Sequence, residues 1–331
     1  MDADDTIVST PDFTRLDADI YLMRYFGDND VFWVALLFRD GVRVRWQGVT
    51  HEYAVWDNSC AVVRLDGDYH IEDRHLSTRN LSGEKYARDR DLLLAEIECN
   101  PADARSAFYL AQSYFCLGDL VNARQWYARR IEMGGWDEEV GYSMYKLALS
   151  MEQLAMAGCS GCLPAGLELR PARAEGLYAI ARRYRAEQRH RLGYLFAKGA
   201  AEIPFPEDET LFVRPDIYAW RIADEQAVCA SWIDKHAEAF TLWRRLLARP
   251  DLPEDDRQRI ARSRDVCAPT MIDAASCNPD TTLLQSLQHP AAGRQNVLVF
   301  ATDTVAHEHE WPELTGPLDM VHPELFALRY R

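Results

Sequence analysis

The sequence predicts an α+β chain in which a strand-rich N-terminal region is followed by an all-α solenoid of helix pairs. Up to about residue 75 it consists of β-branched and aromatic runs broken by turn clusters, and from about residue 85 the apolar spacing becomes helical. Within the helical part the same small and large residues recur about two repeat lengths apart, which is how stacked helix pairs show themselves in sequence.

The elements follow in order. Residues 19–25 and 31–38 are rich in aromatic and branched side chains, and Gly27-Asp28-Asn29-Asp30 between them is a turn cluster, so the two runs form a hairpin. Shorter runs follow at 42–46, 61–65 and 69–71, parted by Gly48, Asp57-Asn58 and Asp66-Gly67. Further on, Leu110, Ala111, Tyr114, Gly118, Ala123 and Tyr127 fall on the large and small positions of a tetratricopeptide repeat, with the glycine at the turn between two helices. Ile180, Ala181, Tyr184, Gly193 and Ala197 repeat the register, and Pro171 precedes them as a repeat terminator. Leu147, Ala148 and Met151 start a copy between these, its second helix displaced by the stretch 158–166, and Ala227, Ala230, Ala239 and Trp243 carry a fourth. In such pairs small residues let the helices approach, aromatic side chains fill the space beside them, and each pair buries its face on the next. Beyond Pro269 the helical pattern fades into Asn278-Pro279, His289-Pro290 and a strand-like run at 296–300. The expected division is 1–80, 85–268 and an unassigned tail, 269–331.

The 331 residues are room for roughly two domains, and 48% hydrophobic with 27% charged residues is enough to build cores. Lys and Arg total 37 against 52 Asp and Glu, a net charge of −15, so the chain repels phosphate backbones and nucleic acid is not an expected partner. The apolar stretch 31–38 falls far short of the roughly 20 residues of a membrane-spanning helix, and no leader-like segment precedes it. The expectation is a cytoplasmic protein without a transmembrane segment. The cysteines are scattered, several in helical patterns where a small apolar residue serves equally well, and read as free thiols. Cys159-Ser160-Gly161-Cys162 has the spacing of half a zinc or redox site without its complement, and His307-Glu308-His309-Glu310 lacks the helical spacing of zinc-protease histidines.

Three constellations near the start carry chemistry. Asp2 and Asp4, alternate residues of Asp2-Ala3-Asp4-Asp5, share a face in a strand and aim two carboxylates at one hard cation; the plainer reading is a solvated acidic terminus. In Trp46-Gln47-Gly48-Val49-Thr50-His51-Glu52-Tyr53 a glycine turn presents a histidine and a carboxylate beside two aromatic rings, a composition suited to stacking a sugar and taking a proton from it. Asp66-Gly67-Asp68-Tyr69-His70 is a tight turn followed by an imidazole able to complete a metal shell. Each alone also reads as structure: a hydrogen-bonded surface pair, or a hairpin turn.

Taken in order and followed by the repeats, these segments resemble the bacterial family 2 glycosyltransferases, of GT-A type, that carry a tetratricopeptide extension. The resemblance rests on Met1-Asp2-Ala3-Asp4-Asp5-Thr6 for an Asp-x-Asp strand end, on 45–53 for a Trp-x-Gly-x-x-His-Glu segment, and on Asp68-Tyr69-His70 for a late histidine. Residues 108–114, 133–139 and 202–206 extend it into the helical part, so that it spans roughly 1–268. It implies transfer of a sugar from a nucleotide-diphosphate donor to a saccharide, lipid-linked or peptide acceptor, with Mg²⁺ or Mn²⁺. Asp2, Asp4 and His70 would hold the metal against the diphosphate, Glu52 would act as the base with His51 orienting it, and Trp46, Arg45 and Tyr53 would bind substrate. In that fold the Asp-x-Asp strand ends in mid-domain, after βαβ units that hold the nucleotide, and none precedes Met1. The resemblance therefore implies a partial GT-A-like region over 1–80 and weak or no donor binding.

A second reading, from a different class, is a non-catalytic scaffold whose repeats hold a peptide or partner protein, with the strands as a cap. Its candidate contacts are Trp136, Asp137, Glu138, Glu139, Tyr218 and Trp220. Arg182, Arg183, Arg185, Arg189 and Arg191 form a basic cluster that is either a solvated helix face or a meeting point for a phosphate-bearing acceptor.

Overall fold

The computed structural model describes residues 5–27, 29–74, 84–154 and 162–276. Among these residues seven strands occupy the first part: β1 (Thr6–Ser9), β2 (Ile20–Gly27), β3 (Asp30–Phe38), β4 (Arg45–Gln47), β5 (Tyr53–Val55), β6 (Val62–Arg64) and β7 (Tyr69–Glu72). β2 and β3 form the expected antiparallel hairpin, closed where Gly27 faces Asp30, with a register break at Tyr21/Leu22. The alternation of β2 puts Tyr21, Met23 and Tyr25 on one face, and these pack with Leu65, Tyr69 and Ile71 into a core. The sheet order is β1-β7-β2-β3, with β6 also beside β2; β6 and β7 both run parallel to it. β4 and β5 pair separately as a small hairpin. Sequence periodicity did not resolve β1 or β5, which have four and three residues and too few alternations to show a period.

A partial GT-A-like region, already without the βαβ units that hold a nucleotide, was expected here, and nothing in the strand arrangement supports it. No helix lies between β1 and β7 among the described residues, so there is no βαβ unit with a strand end that opens on a nucleotide crevice.

Among the described residues ten α-helices follow: α1 (Lys85–Cys99), α2 (Ala104–Cys116), α3 (Leu120–Met133), α4 (Asp137–Gln153), α5 (Cys162–Leu169), α6 (Glu175–Ala186), α7 (His190–Ala201), α8 (Ile222–Ser231), α9 (His236–Leu247) and α10 (Glu254–Ser276). The helical tract thus outlasts the fading sequence pattern and carries Pro269 inside α10. The strand-like run at 296–300, the His307 segment and Cys159 to Gly161 lie outside the described residues.

The chain divides into two compact units. One holds the sheet, α1 to α5, the start of α6 and Gly199–Ala219; the other holds Ala181–Lys198 and the part from Trp220 on. In the first unit α1 packs on α2, α2 on α3, α3 on α4 and α4 on α5, while in the second α8 packs on α9 and α9 on α10.

The repeat register is visible in the backbone as well as in the packing. Gly118, Gln188 and Asp234 occupy the same place after the first helix of three pairs and all have left-handed φ, at 75°, 58° and 63°. In each of the three the next amide reaches back over the turn: Asp119 N to Tyr114 O (3.0 Å), Arg189 N to Tyr184 O (2.8 Å) and Lys235 N to Ala230 O (3.0 Å). This is the closing bond of a Schellman cap, which satisfies carbonyls the helix leaves open. The small positions are sealed: Ala111, Ala123, Ala181, Ala197, Ala227, Ala230 and Ala239 have no solvent exposure. These helix pairs are a helical-repeat region by their own geometry.

Candidate functional site

The segment from Trp46 to Tyr53 is the tip of the β4–β5 hairpin. Gly48 and His51 both take positive φ, 115° and 51°, and so reverse the chain within five residues. His51 is turned onto the helices: its ring stacks on Tyr109 of α2 (centroids 4.1 Å apart, planes 5° apart), and its Nε2 lies 3.6 Å from Asp89 of α1. Thr50 Oγ1 donates to the other oxygen of Asp89 at 3.2 Å, and Asp89 is wholly buried. Tyr53 lies beneath the guanidinium of Arg105, 4.4 Å from its ring centre. The tip is therefore a docking element that fixes the hairpin to the first two helices.

This placement bears on the roles implied for these residues. Glu52 is exposed at the tip, while His51, expected to orient it, is engaged on the helical side. Arg45 and Trp46 are exposed on β4, and the Trp46 ring meets Phe38 edge-on at 6.4 Å. His70 lies on β7, its ring 4.7 Å from that of Phe26, with its backbone paired to Val8. Asp2 and Asp4 fall outside the described residues, and the one described acidic residue of that motif, Asp5, accepts from Tyr25 Oη at 2.9 Å. No group of three or more His, Cys, Asp or Glu side chains able to hold a metal occurs among the described residues.

A more developed constellation surrounds the segment between α7 and α8, residues 202–216. Pro204, Pro206 and Pro215 keep it from forming helix and bias the residues before them to extended conformations. Its end is added to the edge of β3: Val31 N donates to Val213 O (2.7 Å), Val213 N to Val31 O (2.9 Å) and Trp33 N to Thr210 O (2.9 Å). Side chains hold the rest of the main chain. Both oxygens of Glu138, at the start of α4, are engaged: Oε2 accepts from Thr210 N (2.8 Å) and Leu211 N (2.7 Å), and Oε1 from the Thr210 hydroxyl (2.9 Å). Arg173 donates to Leu211 O (2.9 Å) and Phe212 O (2.8 Å), and Arg64 of β6 to the carbonyls of Glu207 and Glu209. Phe212, held at φ 43°, sets its ring among Phe32, Phe108 and Tyr142 at 5.2, 6.3 and 5.3 Å.

Charged side chains line a small cleft beside this strap, between Tyr142, Tyr145, Arg170, Arg173, Glu175 and Glu209. Arg173 bridges Glu175 (3.0 Å) and Glu209 (3.5 Å), Arg170 also pairs with Glu209, and Tyr218 Oη donates to Glu175 at 2.8 Å. Nearby Asp30, at the turn of β2–β3, lies 3.9 Å from Arg214 Nε. Burial pushes its carboxyl up to about 6, although Lys146, Arg214 and Arg173 pull the other way. Burial likewise lowers the Lys146 ammonium, which sits 4.1 Å over the ring of Phe115.

The expected surface contacts divide accordingly. Trp136 is exposed, but Glu138 and Glu139 face inward, Tyr218 is bonded to Glu175, and Trp220 is buried. Glu139 binds Arg130 through Nε (3.1 Å) and Nη2 (3.0 Å) and Arg105 through Nη1 (2.8 Å). The basic cluster is largely paired: Arg183 and Arg189 with Glu187, and Arg185 with Glu225. Sequence reasoning passed over Arg64, Arg173 and the strap, although three prolines between two helical runs were a readable sign of an extended connector.

No family model matches the chain, and no curated protein sequence does. Several solved structures are similar in fold. A MamA protein is 12% identical, with a TM-score of 0.42 over 53% of this chain and 91% of its own. MamA from Desulfovibrio magneticus RS-1 is 14% identical, with a TM-score of 0.41 over 58% and 94%. YrrB, described as a TPR protein with an unusual peptide-binding site, is 13% identical, with a TM-score of 0.39 over 52% and 81%. At such scores the repeat assignment stands on the turns and buried small residues of the chain itself. No helix among the described residues is long and apolar enough to cross a membrane.

Proposed function

We propose that this chain is a non-catalytic helical-repeat protein that holds an extended peptide or a segment of a partner protein. One observation carries the reading. Glu138, Arg173 and Arg64 converge on consecutive backbone groups of an irregular, partly extended segment, accepting from its amides and donating to its carbonyls. Fixed polar groups that read main chain, beside a strand edge and an aromatic recess, are the parts by which folds capture extended ligands. The transferase reading has the histidine meant to orient its base, His51, stacked on Tyr109 and set beside Asp89 of the helices, so it ranks second.

Panning the full chain against displayed random peptides, followed by calorimetry on the selected sequences, tests the proposal. Selected peptides sharing a motif, whose affinity falls at least about tenfold with Glu138→Gln, are the expected result. A folded chain that selects no related sequences sinks it.

A further inference from the structure

The strap over residues 207–213 does more than join two helices. It is a short segment bonded to an edge strand on one side and to side chains of the repeats on the other, with one aromatic ring seated between sheet and helices. A connector of this length needs none of that: adjacent helices are ordinarily joined by a few residues on the surface. Instead Leu211 and Val213 are 5% and 2% exposed, and Phe212 is held in a left-handed conformation that costs a non-glycine residue free energy. Both features are those of a ligand in its site.

Resting on the partner-binding reading, we propose that the strap is a built-in ligand, and that the partner is an extended segment of the same chemical type. That segment has acidic residues followed by a small polar residue, an aliphatic residue, an aromatic anchor and a β-branched residue, as in Glu207 to Val213. The chemistry of each position is on view. The acidic part meets three guanidinium groups: Arg64 takes the carbonyls of Glu207 and Glu209, and Arg170 and Arg173 take the Glu209 carboxylate. Threonine gives its amide and hydroxyl to Glu138. The aromatic ring fills the recess of Phe32, Phe108 and Tyr142. The last residue pairs with Val31, as an incoming strand does. A partner would bind by replacing the strap, so the affinity seen from outside is the intrinsic affinity reduced by the fraction of chains with the strap released.

This predicts an outcome that an ordinary structural loop does not give: loosening the strap strengthens binding in trans. The probe is a labelled synthetic peptide of residues 205–213, titrated by fluorescence anisotropy into the unmodified full chain and into Phe212→Ala. Binding at least about tenfold tighter to Phe212→Ala, with no binding of a peptide that itself carries the Phe212→Ala change, is expected. A Phe212→Ala chain that keeps its helical circular dichroism and binds the peptide no better overturns the proposal. It leaves the partner-binding reading to be decided by the random peptides. If Phe212→Ala does not fold, Thr210→Ala, which removes only the hydroxyl bond to Glu138, takes its place: a rise in affinity supports the built-in ligand and an unchanged one refutes it.

Discussion

Two residues show how burial decides what a charge does in this fold. Arg130 has 1% exposure and Glu139 3%, and between them run two hydrogen bonds, with Arg105 as a second arginine on Glu139. Breaking a buried pair from one side strands the other charge, so Arg130→Met should cost about 3–5 kcal/mol in urea unfolding. A loss below about 1 kcal/mol would mean that Arg105 alone satisfies Glu139. Asp30 is the opposite case. Its neighbours are Lys146, Arg214, Arg173 and Glu175, yet desolvation dominates and raises its carboxyl to about 6. A carboxyl raised on folding binds its proton more tightly in the folded state. Its contribution is thus full below the unfolded value near 3.9 and is lost as pH rises to about 6, some 3 kcal/mol in all at most. Asp30→Asn should therefore be more stable than the parent at pH 7 and should flatten the fall in stability between about pH 4 and 6. Parallel denaturant curves for the two chains across that window would remove Asp30 from the account.

At the level of elements, the glycines and alanines of the repeats matter through what they leave room for. A Cβ on Gly193 of α7 would stand 2.7 Å from Cys229 Sγ and 3.2 Å from the Ala181 carbonyl. Alanine is worth about 1 kcal/mol over glycine in a helix interior, but overpacking a closed contact costs typically 1–3 kcal/mol. Gly193→Ala should lower the melting temperature, and Cys229→Ala in the same chain should recover part of it; a rise with Gly193→Ala alone would show that the helices can part freely. This close approach was legible in the sequence because Gly193 repeats the position of Ala123. The β2–β3 hairpin was legible too, through its turn cluster and aromatic runs. What was not legible is the use of the hairpin tip. Thr50, His51 and Tyr53 read as chemistry in sequence because a histidine, a carboxylate and aromatic rings have the same composition in a site and in a docking contact. Only the partners, Asp89 and Tyr109, 38 and 58 residues further on, distinguish the two.

At the scale of the whole molecule, the strap is the part that sequence patterns describe least, because its partners are spread from β3 to α4 and no period runs through it. The sheet has a core of its own around Tyr21, Met23 and Ile71, and the first repeat has another around Ala111, Ala123, Tyr127 and Leu147. The strap belongs to neither. It joins Leu211 to a third cluster with Leu93, Phe108 and Tyr142. Its release should thus be a partial opening that leaves the other two cores closed, as cooperative segments of limited extent do in native proteins. Removing the Phe212 ring takes packing from the strap alone, at about 2 kcal/mol for a half-buried phenylalanine, or roughly thirtyfold in the opening equilibrium. In hydrogen exchange of Phe212→Ala, the amides of Val31, Trp33, Leu211 and Val213, which bond to or from the strap, should lose protection by that common factor. Amides inside α3 and between β2 and β7 should keep theirs. Equal loss at all of these sites would mean that the strap, the sheet and the first repeat open only together, and that no state exists in which the strap is out and the recess of Phe32, Phe108 and Tyr142 is still built.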